Sequence, residues 1–125
     1  MVTFKNGTAY EEVKVVGAKQ DFQNAKRDTL DIVISSDQLT LTAAKALWQD
    51  KDVTSEITID YKEEENGILV DKSSVHINYT LPMELKVDTL NGVEVIHIKL
   101  AQKSELELTQ EEQSNIIAAL LKGEG

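Results

Sequence analysis

Three Asn-Gly pairs, Asn6-Gly7, Asn66-Gly67 and Asn91-Gly92, constrain this chain more than any other feature. Both residue types tolerate positive φ, which a two-residue type I′ hairpin turn requires at both central positions. Strand-forming residues flank each pair. Phe4 precedes the first, with Tyr10, Val13 and Val15 after it. Ile57, Ile59 and Tyr61 lead to the second, with Ile68 and Val70 beyond. Leu85 and Val87 precede the third, followed by Val93 and Val95. The spacing predicts three β-hairpins.

Alternation of apolar and polar residues places the strands. Leu30, Ile32 and Ile34 share a face opposite Asp31, and Ile57, Ile59 and Tyr61 oppose Glu56, Thr58 and Asp60. Val75, Ile77, Tyr79 and Leu81 oppose His76, Asn78 and Thr80, while Ile96, Ile98 and Leu100 oppose His97 and Lys99. One dry and one wet face per strand is the habit of antiparallel sheets. Between Val93-Val95 and Ile96-Ile98 the apolar face moves by one residue, which predicts a β-bulge near Val95.

Two segments leave this rhythm. Leu41, Ala44, Leu47 and Trp48 fall at helical spacing behind Thr40, a suitable N-cap, and predict a short helix near 40–49. Trp48 is expected to anchor that helix to the sheet. Thr109-Gln110-Glu111-Glu112 fits a capping box, and Ile116, Ile117, Leu120 and Leu121 continue it as one apolar stripe before Gly123. The expected fold is therefore mainly β: an antiparallel β-sandwich or open barrel with one short helix and a C-terminal helix. Residues 1–100 form the β domain, and 101–125 form a polar connector and an amphipathic helix. Ile116, Ile117, Leu120 and Leu121 are the candidate oligomer or partner interface, packing either on their own sheet or on another chain.

Composition limits the chemistry. In 125 residues, 41% of them hydrophobic, there is material for one core. The chain has no cysteine, which excludes disulfides, cysteine-zinc sites and thiol catalysis. Twenty-two acids against thirteen bases give a net charge of −9, which repels phosphate backbones, so no nucleic-acid partner is expected. No apolar run approaches the ~18 residues of a membrane span, and no signal peptide is expected at Met1.

No constellation for catalysis stands out, so the expectation is a non-enzyme with no catalytic residue, no cofactor and no metal. His76 and His97 each fall on a polar strand face without an acidic or histidine partner at ligand spacing, and read as surface histidines. Asp50-Lys51-Asp52 fails as a calcium loop, because Ser55 stands where glycine is needed and Tyr61 where the closing glutamate should be. Glu63-Glu64-Glu65 reads as a solvated hairpin tip. Arg27-Asp28 reads as a local surface pair at a strand start.

Phe22-Gln23-Asn24-Ala25-Lys26-Arg27-Asp28-Thr29-Leu30, together with Thr3-Phe4-Lys5-Asn6-Gly7-Thr8-Ala9-Tyr10, resembles the N-terminal part of a family. The family comprises small proteins encoded among tail and baseplate genes of phages and prophages of Gram-positive bacteria. The shared elements are a Phe-x-x-Gly-x-x-Tyr hairpin, then an aromatic residue, a polar spacer and an Arg-Asp-Thr-Leu strand start. The charged middle hairpin around Glu63–Asn66 and the short terminal helix depart from it. The resemblance implies a structural or assembly protein acting through contacts with itself or other phage structural proteins. It would sit in the host cytoplasm during assembly and then in the tail region of the virion. An alternative reading is a small acidic phage-encoded inhibitor of a host defence protein.

Overall fold

The computed structural model describes residues 1–104 and 106–111. Two antiparallel four-stranded sheets form a sandwich, and no barrel closes. The strands are β1 (Val2–Phe4), β2 (Ala9–Tyr10), β3 (Glu12–Phe22), β4 (Ala25–Ser35), β5 (Glu56–Glu65), β6 (Ile68–Ile77), β7 (Leu81–Leu90) and β8 (Val93–Ala101). Helices α1 (Leu41–Gln49) and α2 (Lys51–Thr54) lie between β4 and β5, and a third helix, α3, occupies 106–111. Sheet order is β2-β1-β5-β6 in one layer and β3-β4-β8-β7 in the other.

The core is where alternation put it. Val2, Phe4, Ile57 and Ile59 from one sheet face Leu30, Ile32, Ile34, Ile96, Ile98 and Leu100 from the other, and all are buried. Each such side chain removed from water contributes about 1.5–3 kcal/mol, and this apolar layer is what holds the two sheets together. Helix α1 adds Ala44 and Leu47 to the same layer, with Thr40 capping it by accepting from the Ala43 N–H at 3.2 Å. Leu41 of the expected stripe is exposed, and Leu39 takes the buried position ahead of the helix. Trp48 does anchor the helix, its indole N–H donating to the Lys99 carbonyl at 3.0 Å.

Asn66-Gly67 and Asn91-Gly92 are hairpin turns with positive φ at all four residues, as type I′ turns require. At Asn6-Gly7 only Gly7 has positive φ; Asn6 instead accepts from the Thr8 N–H at 3.1 Å, and the turn joins two very short strands. A further turn without glycine, Gln23-Asn24, joins β3 to β4 with φ of 50° and 64°.

Three local expectations are corrected. No bulge occurs near Val95: β8 pairs without interruption from Val93 to Ala101, and register shifts fall at Glu12/Lys14 and Pro82/Glu84. Val95 and Ile96 lie on opposite faces of β8, an interior strand between β4 and β7, and both are buried. Val75 and Ile77 do not share the dry face of Tyr79 and Leu81. The pairing Ile57↔His76 puts His76 on the core side, and positive φ at Asn78 resets the alternation before Tyr79. Finally, the capping box sits at Ser104-Glu107 and α3 begins before Thr109. Ser104 Oγ accepts from the Glu107 N–H at 3.2 Å, and Glu107 Oε1 accepts from the Ser104 N–H at 3.0 Å. The connector is also pinned, with Gln102 N–H on the Asp28 carbonyl and Lys103 N–H on the Asn78 carbonyl, both at 2.9 Å.

Candidate functional site

The expected interface residues Ile116, Ile117, Leu120 and Leu121 lie outside the described residues. Within them, exposed apolar surface concentrates elsewhere. Ile68 (67%), Leu69 (68%), Val75 (58%) and Ile77 (53%) are more than half exposed, and all four belong to β6. Leu106 is the one other large apolar side chain of the described residues to reach that level.

Geometry explains the exposure. β1 pairs with β5 only through Ile57, Thr58 and Ile59, so beyond Asp60 the β5–β6 hairpin continues as a two-stranded ribbon. Tyr61, expected in the core, is exposed for the same reason. β6 is the outer strand of its sheet, and its free side carries backbone donors and acceptors that no other strand takes. Val75 and Ile77 lie on the outward face with Leu69, opposite Thr58, Glu56 and Glu64.

The four sheet edges differ in how well they are guarded. β2 is two residues long. β3 has the register shift at Glu12/Lys14 and carries Lys14 and Lys19. β7 has Pro82, its own register shift and Lys86. Each is a recognised device against adding another strand. β6 has ten unbroken pairs with β5 and neither proline nor bulge. Its one lysine, Lys72, is occupied by Glu63 at 3.1 Å and by Glu65, and these two carboxylates raise its pKa above the ordinary lysine value.

Two polar clusters were not foreseen. His97 is buried on the outer face of the second sheet, its Nδ1 3.0 and 3.1 Å from the two Asp31 carboxylate oxygens. A carboxylate only accepts, so Nδ1 carries the proton of that bond. Nε2 lies 3.5 Å from Asp88 Oδ2 and makes no hydrogen bond. The partners come from strands far apart in sequence, which no local spacing reveals. His76 lies in the other sheet, its ring edge-on to Tyr79 at 5.9 Å and its Nε2 3.0 Å from Ser74 Oγ, so the two histidines do not meet. Arg27 is buried, not a surface partner of Asp28. It donates to the Phe22, Gln23 and Gln102 carbonyls at 2.7, 3.2 and 3.1 Å and to the Glu107 carboxylate.

The Asp50 group also has a structural use: its Oδ1 accepts from the Asp52 and Val53 N–H groups and caps α2. Among the described residues no group of three or more acids and histidines is placed to hold a metal ion, and no helix is long and apolar enough to cross a membrane. A broad surface depression between Lys51, Asn78, Thr80 and α3 is open and lined by charges such as Lys103 and Glu111 that already pair. No protein-family model, no curated protein and no solved structure matches the chain.

Proposed function

We propose that this chain is a non-enzymatic structural or assembly protein of a phage tail or baseplate region, working through protein–protein contacts on the β5–β6 hairpin. The observation that carries the contact surface is β6: an unguarded edge strand bearing four apolar side chains that are each more than half exposed. Exposed apolar residues gathered on one element mark interaction surfaces, whereas isolated ones are ordinary. The phage setting rests on the resemblance of Phe4–Tyr10 and Phe22–Leu30 to tail-region proteins. Arg27 and Thr29 of that second motif are buried and fix the β3–β4 hairpin, so these two residues serve the fold.

Particles purified from an induced host culture test the reading. An antibody raised against the chain is expected to label the tail end of the particles or their tail-assembly intermediates. Absence of the chain from both, with the protein present in the lysate, overturns it.

A further inference from the structure

The shape and residue pattern of β6 specify what can cover it. A helix can shield apolar side chains but cannot engage the row of N–H and C=O groups along the edge, which no other strand takes. Among the described residues the Ile77 carbonyl alone of that row accepts a side-chain donor, Gln102 Nε2 at 2.9 Å. Another strand engages that row and sets its own side chains beside the apolar ones. We infer that β6 pairs antiparallel with β6 of a second copy across a two-fold axis through Ser73, joining two four-stranded sheets into one of eight strands. This inference rests on the assembly reading above and names the partner and the register.

The register follows from symmetry. In an antiparallel ladder, directly opposed residues point to the same side of the sheet, and neighbours along a strand alternate. A two-fold axis must therefore pass through a residue that faces its own copy. If that residue were Lys72, two like charges would be directly opposed, which is destabilising. An axis at Ser74 would set Ile77 against Asp71 of the second copy and Val75 against Ser73, and would oppose no two apolar residues of the strand. An axis at Ser73 sets Leu69 against Ile77 of the second copy and Val75 against its Asp71, and the same again on the other side of the axis. Val75 then lies diagonally beside Leu69 of the second copy, within side-chain reach. On each side of the axis Leu69 of one chain gathers with Val75 and Ile77 of the other into an apolar cluster on the outward face. The two clusters are separated by the Ser73 pair and bordered by Asp71, and Lys72 faces the neutral Ser74. No charge of either copy is set directly against its like. The other three edges of the molecule carry the obstacles described above, so the pairing closes as a dimer and does not extend into a fibre.

The chain lacks cysteine, so single cysteines report the register directly. Ser73→Cys places two thiols opposite each other at a Cα separation of about 4.5–5.5 Å, inside the range a disulfide spans. Mild oxidation is expected to convert most of this variant into a covalent dimer. Val75→Cys, displaced from its own copy by about 13 Å along the strand, is expected to stay uncrosslinked under the same conditions. Light scattering of the full chain is expected to give twice the chain mass, and Val75→Lys with Ile77→Lys, both at exposed positions, to return it to a monomer. A monomeric wild type, or crosslinking no faster at position 73 than at 75, overturns the pairing. A wild-type oligomer that survives the double lysine change while Ser73→Cys fails to crosslink also overturns it, and assigns self-association to another surface. Both results leave the assembly reading to the particle-labelling experiment.

Discussion

The Arg27 guanidinium and the Glu107 carboxylate, eighty residues apart in sequence, form a two-pronged ion pair that ties the β3–β4 hairpin to the start of α3. Arg27 is nearly inaccessible to water, and three backbone carbonyls take its remaining donors. Glu107 simultaneously completes the capping box of α3 on Ser104. One carboxylate therefore both starts a helix and neutralises a buried cation. A planar fork of five donors suits this arrangement, and a lysine would not reach the same acceptors.

Arg27→Met is expected to destabilise the chain by about 2–4 kcal/mol, because several acceptors lose their donor at once. Glu107→Gln keeps the cap geometry but removes the charge, at about 0.5–1.5 kcal/mol, since the carboxylate is one-third exposed and solvent screens the pair. Truncations sharpen the point. Ending the chain after Glu111 retains Glu107 and should cost less than ending it after Lys103, which strands the buried guanidinium and should cost more than Glu107→Gln. Chemical denaturation of the four variants gives the ranking.

Acidification tests the same pair. The Arg27 hydrogen bonds, foremost, and the Ser104 N–H hold the Glu107 pKa at about 2, below its ordinary 4.5. A carboxyl with a depressed folded-state pKa contributes its full stability above the unfolded value and loses it as pH falls through the folded one. The melting-temperature gap between wild type and Glu107→Gln should therefore be constant above pH 5 and shrink between about pH 4.5 and 2. A gap that widens with acid would contradict the pairing.

His97 and Asp31 make a second coupled pair. His97→Leu leaves the Asp31 carboxylate without its buried donor and is expected to cost about 1–3 kcal/mol. Adding Asp31→Val should recover much of that loss, because removing both partners of a buried hydrogen bond is far less costly than removing one. Denaturant midpoints of the two single variants and the double give the coupling, and strict additivity would mean the contact is energetically idle.

The contrast between what could be read from residue order and what could not is physical. Leu30-Ile32-Ile34, Ile57-Ile59 and the helix behind Thr40 were legible because burial imposes its period on neighbouring residues. Val75 and Ile77 were assigned to the wrong face because one residue, Asn78 at φ 65°, resets the alternation within an apparently continuous run. Two Ser/Thr-x-x-Glu patterns compete near the C-terminus. The apolar stripe favoured Thr109, but a buried arginine waiting for Glu107 favours Ser104. The Arg27 and His97 clusters needed partners brought together by sheet order, which no spacing encodes. The unguarded edge became visible only with that order, since β6 by itself reads as an ordinary half-buried strand.

The turns allow the most direct test of the backbone argument. Gly67 and Gly92 both have φ of 79°, and a Cβ added at either would meet nothing within 4 Å. Any penalty for a side chain is thus conformational and not steric crowding by neighbours. Valine, branched at Cβ, avoids positive φ, so Gly67→Val and Gly92→Val should each cost about 1–3 kcal/mol. Asparagine tolerates the left-handed region, so Gly67→Asn and Gly92→Asn should cost much less. At the turn without glycine the sign reverses. Gln23 adopts φ of 50° although its residue type disfavours it, and Asn24 at φ 64° tolerates the region less freely than glycine would. Replacing Gln23-Asn24 by Asn-Gly should stabilise the β3–β4 hairpin by about 0.5–1 kcal/mol. Denaturant midpoints should then rank the Asn-Gly replacement above wild type, the asparagine variants slightly below it and the valine variants lowest. Equal midpoints for Gly92→Val and wild type would mean that β7 and β8 are not joined by a type I′ turn. The interior position of β8 would then lose its basis.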